Sequence, residues 1–179
     1  IGGKIYCRAE KPVSTRINLL FPSVGATENI MMLSATLPVE TTIVNAAREP
    51  EIVDLQNFLN SMGANIQGAG SETIHILGVE KLQNVSYNIM ADRIFAATVM
   101  CGVVGCGGDV TIRNISPTHL DLILSMLSGA GAHISQGSDY IRIKMKERPI
   151  GLGKVMTSPY PGFPTDMQSQ IMAVMSMRV

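Results

Sequence analysis

The sequence predicts an α/β fold built from repeated units, with apolar helices inside and amphipathic strands outside, and three observations point there. The chain is self-similar. Thr42-Ile43-Val44-Asn45 aligns with Thr111-Ile112-Arg113-Asn114, and Gly63-Ala64-Asn65-Ile66 with Gly131-Ala132-His133-Ile134, at offsets of 69 and 68 residues. Residues 29–37 and 94–105 are apolar on nearly every helical face, the pattern of a helix buried on all sides. Late in the second unit Ile141, Ile143 and Met145 alternate with Arg142, Lys144 and Lys146, which describes a strand with one packed and one wet face.

Each unit reads helix, short strand, second helix, then two strands. The first runs from Ser23 to about Leu82 and the second from Asp92 to about Pro149. The spacing predicts a second helix in unit one between Pro50 and Gly63, with Ile52, Leu55, Leu59 and Met62 on one face. In unit two, Ser116-Pro117 opens the matching helix, Gly131 closes it, and Leu120, Ile123 and Leu127 repeat the stripe. Proline at the first helical position and glycine just past the end is the asymmetry helices favour. Asn45 and Asn114 each end a β-rich run where a turn begins. A third unit starts at Phe163-Pro164-Thr165-Asp166-Met167-Gln168 and enters an apolar, Met-rich stretch over 167–177. Thr165 followed three residues later by Gln168 predicts a capping box there. Small residues (Ala26, Ser34, Ala35, Ala96, Ala97, Gly102) would let the inner helices approach closely.

Composition narrows the function. Lys and Arg number 14 against 14 Asp and Glu, so the chain is formally neutral and carries no electrostatic footprint for nucleic acid or an acidic membrane. Charged residues are 16% against about 25% in an average domain. Hydrophobic residues are 46%, the opposite of a disordered composition. No run is long and apolar enough to predict a bilayer-spanning helix. Three cysteines, Cys7, Cys101 and Cys106, form no disulfide framework, which points to a reducing, cytoplasmic setting. Cys101 and Cys106 read as small core residues, and His75, His119 and His133 lie in separate elements without metal-ligand spacing. Gly68-Ala69-Gly70 follows a strand but opens no helix and is not a dinucleotide fingerprint. The chain opens at Ile1 without an initiator Met, and the third unit is cut short. Both suggest a piece of a longer repeat protein.

The chemistry-bearing positions are the helix starts, at Ser23-Val24-Gly25-Ala26-Thr27, at Asp92-Arg93 and at Thr165-Asp166. Helix N-termini present unpaired N–H groups and the positive end of the dipole to anions. Ser23 with Gly25 is the best anion-site candidate, since glycine admits close backbone approach and serine adds a hydroxyl; an ordinary N-cap accounts for the same residues. Asp166, delivered by a Pro-, Gly- and Tyr-rich loop, is the candidate general base, and a plain helix cap is its alternative.

Three long runs then carry a resemblance over nearly the whole chain. Residues 23–32 (SVGATENIMM), 45–52 (NAAREPEI) and 163–168 (FPTDMQ) strongly resemble the enolpyruvyl transferase family, in its nucleotide-sugar branch. The resemblance implies two lobes of three βαβαββ units each, an inverse α/β barrel with helices within and sheets outside. Residues 1–91 would then end the first lobe and 92–179 begin the second. It implies transfer of the enolpyruvyl group of phosphoenolpyruvate to the 3′-hydroxyl of UDP-N-acetylglucosamine with release of phosphate, the first committed step of peptidoglycan synthesis, without metal or organic cofactor. It places Ser23, Val24 and Gly25 on the diphosphate-uridine part of the nucleotide sugar and makes Asp166 both sugar ligand and catalytic base. The alternatives are the shikimate branch of the family, which NAAREPEI and FPTDMQ disfavour, and a non-catalytic binding or scaffold module of the same repeats.

Departures from the family pattern are specific. Phe21 stands two places before Ser23, where some members carry a basic residue; Phe95 replaces the usual acidic residue after Asp-Arg-Ile; Glu40 replaces a glycine before Thr41. The family's Lys-Asn pair and its loop with a reactive Cys and an Arg would lie upstream of Ile1, and its phosphoenolpyruvate-binding arginines downstream of Val179. The chain by itself is therefore expected to be an incomplete, inactive part that works with the rest of its parent. Cys7, Cys101 and Cys106 match no catalytic cysteine.

Overall fold

A computed structural model describes residues 3, 5, 6, 8 and 11–177, so Cys7 lies outside the described residues. They fall into two units, 1–89 and 90–179. The first contains β1 (Thr15–Asn18), α1 (Val24–Ser34), β2 (Glu40–Val44), α2 (Pro50–Ser61), β3 (Asn65–Gln67) and β4 (Thr73–Leu77). Its sheet has the order β1-β2-β4-β3, with β1 parallel to β2 and the other pairs antiparallel. Ile43, Ile66, Ile74 and Ile76 form the inner face, each at most 2% exposed. Met31 of α1 and Ile52 and Leu59 of α2 join the same core cluster. Glu40, Thr42 and His75 stay outside that core, as strand alternation requires.

The second unit contains α3 (Arg93–Cys106), β5 (Gly108–Arg113), α4 (Asp121–Gly129), β6 (His133–Gln136), β7 (Tyr140–Met145) and α5 (Gln168–Ser176). Its sheet, β5-β7-β6, is antiparallel throughout and repeats the β2-β4-β3 order of the first. Ile141, Ile143 and Met145 point into the core, while Arg142 is exposed, the alternation the sequence predicts. The fold class is thus mixed α/β, two helix-on-sheet units of matching strand order.

The turn positions follow from backbone sterics. Asn45 and Asn114 sit in the left-handed region at φ 56° and 58°, which asparagine tolerates better than other non-glycine residues. Asn45 also donates its side-chain N–H to the Leu19 carbonyl at 3.0 Å. Gly63 and Gly131 follow the second helices at φ 99° and 104°, the glycine closure of a helix.

Several expectations need correction. The first apolar helix starts behind Ser23 as expected but ends at Ser34, short of the apolar stretch that runs to Leu37. Nor are the apolar helices wrapped on every side within their units. Leu33 of α1 is 63% exposed, Phe95 of α3 68% and Met172 of α5 61%, since a single sheet covers one face of a helix and leaves the other. The second helix of unit two does not start smoothly at Pro117. A 3-10 turn over Pro117–His119 comes first, and α4 begins at Asp121. Thr165 closes no capping box: Pro164 precedes a 3-10 turn, Thr165–Met167, with no side-chain cap bond, and α5 starts at Gln168. Strand β1 escaped the periodicity reading, being four residues long (TRIN) with no buried side chain. No helix among the described residues is long and apolar enough to cross a membrane.

Candidate functional site

The start of α1 is built from the SVGAT run outward. Ser23 has extended backbone (φ −94°, ψ 121°), and its hydroxyl accepts the Ala26 N–H at 3.3 Å. Its carbonyl accepts both the Thr27 N–H at 3.0 Å and the Thr27 hydroxyl at 2.8 Å. Thr27 is fully buried, and its Oγ1 accepts the Ala47 N–H at 3.0 Å, tying the helix start to the turn after β2. Val24 packs its side chain against the unit-one core. The first N–H groups of a helix have no intrahelical acceptor, so Val24 and Gly25 offer a ligand their backbone, with the Ser23 hydroxyl beside them. A Cβ on Gly25 would meet nothing within 4 Å, so local packing does not require glycine there.

The start of α3 is chemically different. Asp92 Oδ1 accepts the N–H groups of Ile94 at 2.8 Å and Phe95 at 2.9 Å. Its own carboxylate occupies the place an anion would take, which removes this helix start from the candidate sites. Arg93, 5% exposed, lies 5.5 Å from the Tyr160 ring centroid, a cation–π distance. Arg93 and Tyr160 also line a small cavity of about 70 Å³ with His119, Asp121, Gly162 and Pro164. Nothing in the sequence reading anticipated this pairing, because 67 positions separate its members.

Asp166 is exposed on the turn before α5. Phe163 and Met167, 3% and 1% exposed, anchor the chain on either side of it in the unit-two core. The preceding loop is tied back by Ser158 N–H to Phe163 O at 2.9 Å and Gly162 N–H to Pro159 O at 2.8 Å. A carboxylate on a braced turn has little freedom to lose when it meets a hydroxyl. Ser23, Val24 and Gly25 therefore come together at one helix start in unit one, and Asp166 belongs to unit two.

Cys101 and Cys106 take no part in either feature. Burial pushes the Cys101 thiol up to about 11, so it stays protonated at neutral pH. Cys106, expected in the core, is instead exposed at the end of α3. Among the described residues no three His, Cys, Asp or Glu side chains converge in a way that could hold a metal ion.

Comparison with known proteins supplies the lineage. The chain is 47% identical over 174 residues to UDP-N-acetylglucosamine 1-carboxyvinyltransferase 2 of Caldanaerobacter subterraneus subsp. tengcongensis, covering 97% of this chain and 42% of that protein. It is 48% identical over 177 residues to UDP-N-acetylglucosamine 1-carboxyvinyltransferase 1 of Carboxydothermus hydrogenoformans, covering 98% of this chain and 41% of that protein. The chain thus spans about two-fifths of the length of these curated relatives. Among solved structures it resembles the enolpyruvyl transferase NikO from Streptomyces tendae, with TM-score 0.78 and 22% identity over 95% of this chain and 43% of that one. An EPSP synthase from Acinetobacter baumannii gives TM-score 0.56 and 20% identity over 82% of this chain and 34% of that one. At such identities the structures speak for the fold alone. The family match itself runs over residues 3–178, and on it the chain belongs to the EPSP synthase (3-phosphoshikimate 1-carboxyvinyltransferase) family.

Proposed function

We propose that the gene product containing this chain transfers the enolpyruvyl group of phosphoenolpyruvate to the 3′-hydroxyl of UDP-N-acetylglucosamine, releasing phosphate, in the cytoplasm and as the first committed step of peptidoglycan synthesis. The observation that carries this choice of branch is the identity of 46–48% to UDP-N-acetylglucosamine 1-carboxyvinyltransferases along nearly the whole chain. Identity to the EPSP synthase structures is 18–20%. In this reading residues 1–91 end one lobe and 92–179 begin another, each an inverse α/β barrel of βαβαββ units. The matching strand orders of the two units support that reading, as do apolar helix faces that a single sheet leaves uncovered.

Ser23, Val24 and Gly25 bind the diphosphate of the nucleotide sugar. The N–H groups and dipole at the α1 terminus supply the positive potential, which suits a chain with no acidic residue in that first turn. Asp166 accepts a hydrogen bond from the sugar hydroxyl and takes its proton as the new carbon–oxygen bond forms. A carboxylate can do this because bond formation acidifies the hydroxyl, and because the braced turn orients the nucleophile. No metal or organic cofactor enters the scheme.

The test is substrate choice by the full-length gene product. Phosphate release from phosphoenolpyruvate is expected with UDP-N-acetylglucosamine and absent with shikimate 3-phosphate. The reverse selectivity would move the protein to the shikimate branch. No release with either acceptor, from a folded product that still binds the nucleotide sugar, would leave a non-catalytic binding module.

A further inference from the structure

We propose that Arg93, at the start of α3, is a positioning residue for Asp166 and acts through the ring of Tyr160. This role rests on the reading of Asp166 as proton acceptor and adds what aims its carboxylate. Asp166 is exposed on a three-residue turn, so the chain on either side sets where it stands. Both sides are tethered to α3. Upstream, residues 157–163 form a closed loop. Thr157 and Phe163 bridge at its base, and the Ser158 and Gly162 N–H groups bond back to the carbonyls of Phe163 and Pro159. Tyr160 belongs to this loop, six residues before Asp166, and its ring centroid lies 5.5 Å from the Arg93 guanidinium carbon. Downstream, Gln170, four residues past Asp166, donates its side-chain N–H to Thr98 Oγ1 at 3.0 Å. Asp166 is thus bracketed by two side-chain contacts with one helix.

The two contacts are unequal. Arg93 is 5% exposed, and a cation–π contact strengthens as its partners lose water. The Thr98–Gln170 bond joins exposed side chains, where water competes for both partners and the net gain is small. The loop is also too tight to absorb a displaced Tyr160. A Cβ on Gly162 would overlap the Ser158 hydroxyl, so a shift at Tyr160 passes along the chain to Phe163 and the turn that carries Asp166. Turnover is steep in such geometry, since misplacing a reacting group by about 1 Å costs about a hundredfold. Affinity is less exposed to the same shift, because the diphosphate contacts proposed above belong to unit one. Arg93 and Tyr160 each make a further interaction besides this one, so the ring contact has to be varied by itself.

The experiment is phosphate release and calorimetric UDP-N-acetylglucosamine binding by the full-length gene product, with Asp166 intact and in Asp166→Ala. Tyr160→Leu removes the ring and should lower kcat about tenfold or more while changing nucleotide-sugar affinity less than about threefold. Tyr160→Phe keeps the ring and should stay within about threefold of wild-type kcat. Arg93→Met should match Tyr160→Leu; if it does not fold, Tyr160→Leu carries the same readouts. Added to Asp166→Ala, neither change should lower the residual turnover further, because both act through the same carboxylate. A merely structural contact would lower turnover in both backgrounds, and that result overturns the proposal. So does wild-type kcat in Tyr160→Leu, or a fall in Tyr160→Phe as deep as in Tyr160→Leu. The reading of Asp166 is judged apart from this. Wild-type turnover in Asp166→Ala removes the base, whereas lost turnover there with full kcat in Tyr160→Leu removes only the role of Arg93.

Discussion

The two repeats share a strand order and the same paired turn residues, but their first helices begin in opposite electrostatic states. At α1 a neutral hydroxyl caps one N–H, and the N–H groups of Val24 and Gly25 are left for something else. At α3 a carboxylate satisfies two N–H groups and cancels the positive end of the dipole. One scaffold, copied within a chain, therefore offers an anion-binding helix start in one unit and a self-neutralised one in the other. The outer sheet faces diverge in the same way. Unit two carries an ion cluster of Asp109, Arg142 and Lys144, with Arg142 Nε and Nη2 each 2.8 Å from Asp109. On the unit-one strands a Thr42–His75 hydrogen bond of 3.3 Å stands instead.

The largest expected effect falls on activity. Asp166→Ala in the full-length product should reduce turnover by roughly two to four orders of magnitude, the range for a proton-transfer group, with the circular dichroism spectrum unchanged. Wild-type turnover would remove its role as base. Next comes a packing contrast between the repeats. A Cβ on Gly78 would collide with the backbone carbonyls of Ser34 and Leu37, at and just past the end of α1, whereas the strand register places Met145 at the matching position of unit two. Gly78→Ala should destabilise unit one by roughly 3 kcal/mol, at the upper end for overpacking against backbone. Hydrogen exchange resolved by unit would show the loss, and an equal loss in unit two would contradict the assignment.

The caps then separate stability from binding. Asp92→Ala should cost about 1–2 kcal/mol of stability, since two N–H groups lose their acceptor, and Ser23→Ala about 1 kcal/mol or less. For nucleotide-sugar affinity the order should invert, with Ser23→Ala weakening binding by roughly 1 kcal/mol, the scale of one neutral hydrogen bond. Calorimetry that finds Ser23→Ala binding unchanged would return Ser23 to the status of an ordinary cap. The smallest effect is acid-linked. Asp109 is held at about 2, chiefly by its hydrogen bonds from Arg142, below the unfolded value of about 3.9. Its contribution is therefore present above about pH 4 and fades as pH falls toward 2. Carbon-13 titration of the Asp109 carboxyl should show the depressed midpoint, and Asp109→Asn should abolish this acid-sensitive part in unit two alone. An ordinary midpoint near 4 would discard the ion cluster as a stabilising feature.

Much of this was legible in the order of residues. The repeat offset, the turn asparagines, the glycine helix closures and the alternation of β7 are local patterns, each set by dihedral preference or side-chain period. Ser23 as the first cap was legible for the same reason, as an N-cap bond spans three residues. The break at Leu120 and the failed capping box at Thr165 were not, because whether a proline-led start becomes a 3-10 turn depends on what the next side chains must reach. His119 gives way to buried Leu120, and Met167 is drawn into the core beside Phe163.

By itself, then, the sequence determined the α/β class, the two-fold repetition, the family and which helix starts to inspect, since all of these reside in short-range pattern or in similarity along the chain. Tertiary structure decided which starts remained chemically open. Thr27 reaching Ala47, Asp92 folding onto its own N–H groups and Arg93 lying by Tyr160 are consequences of helix meeting sheet or helix meeting loop. A linear pattern cannot carry them, because a carboxylate's environment is set by residues far away in sequence and by how much water the packed chain leaves around it.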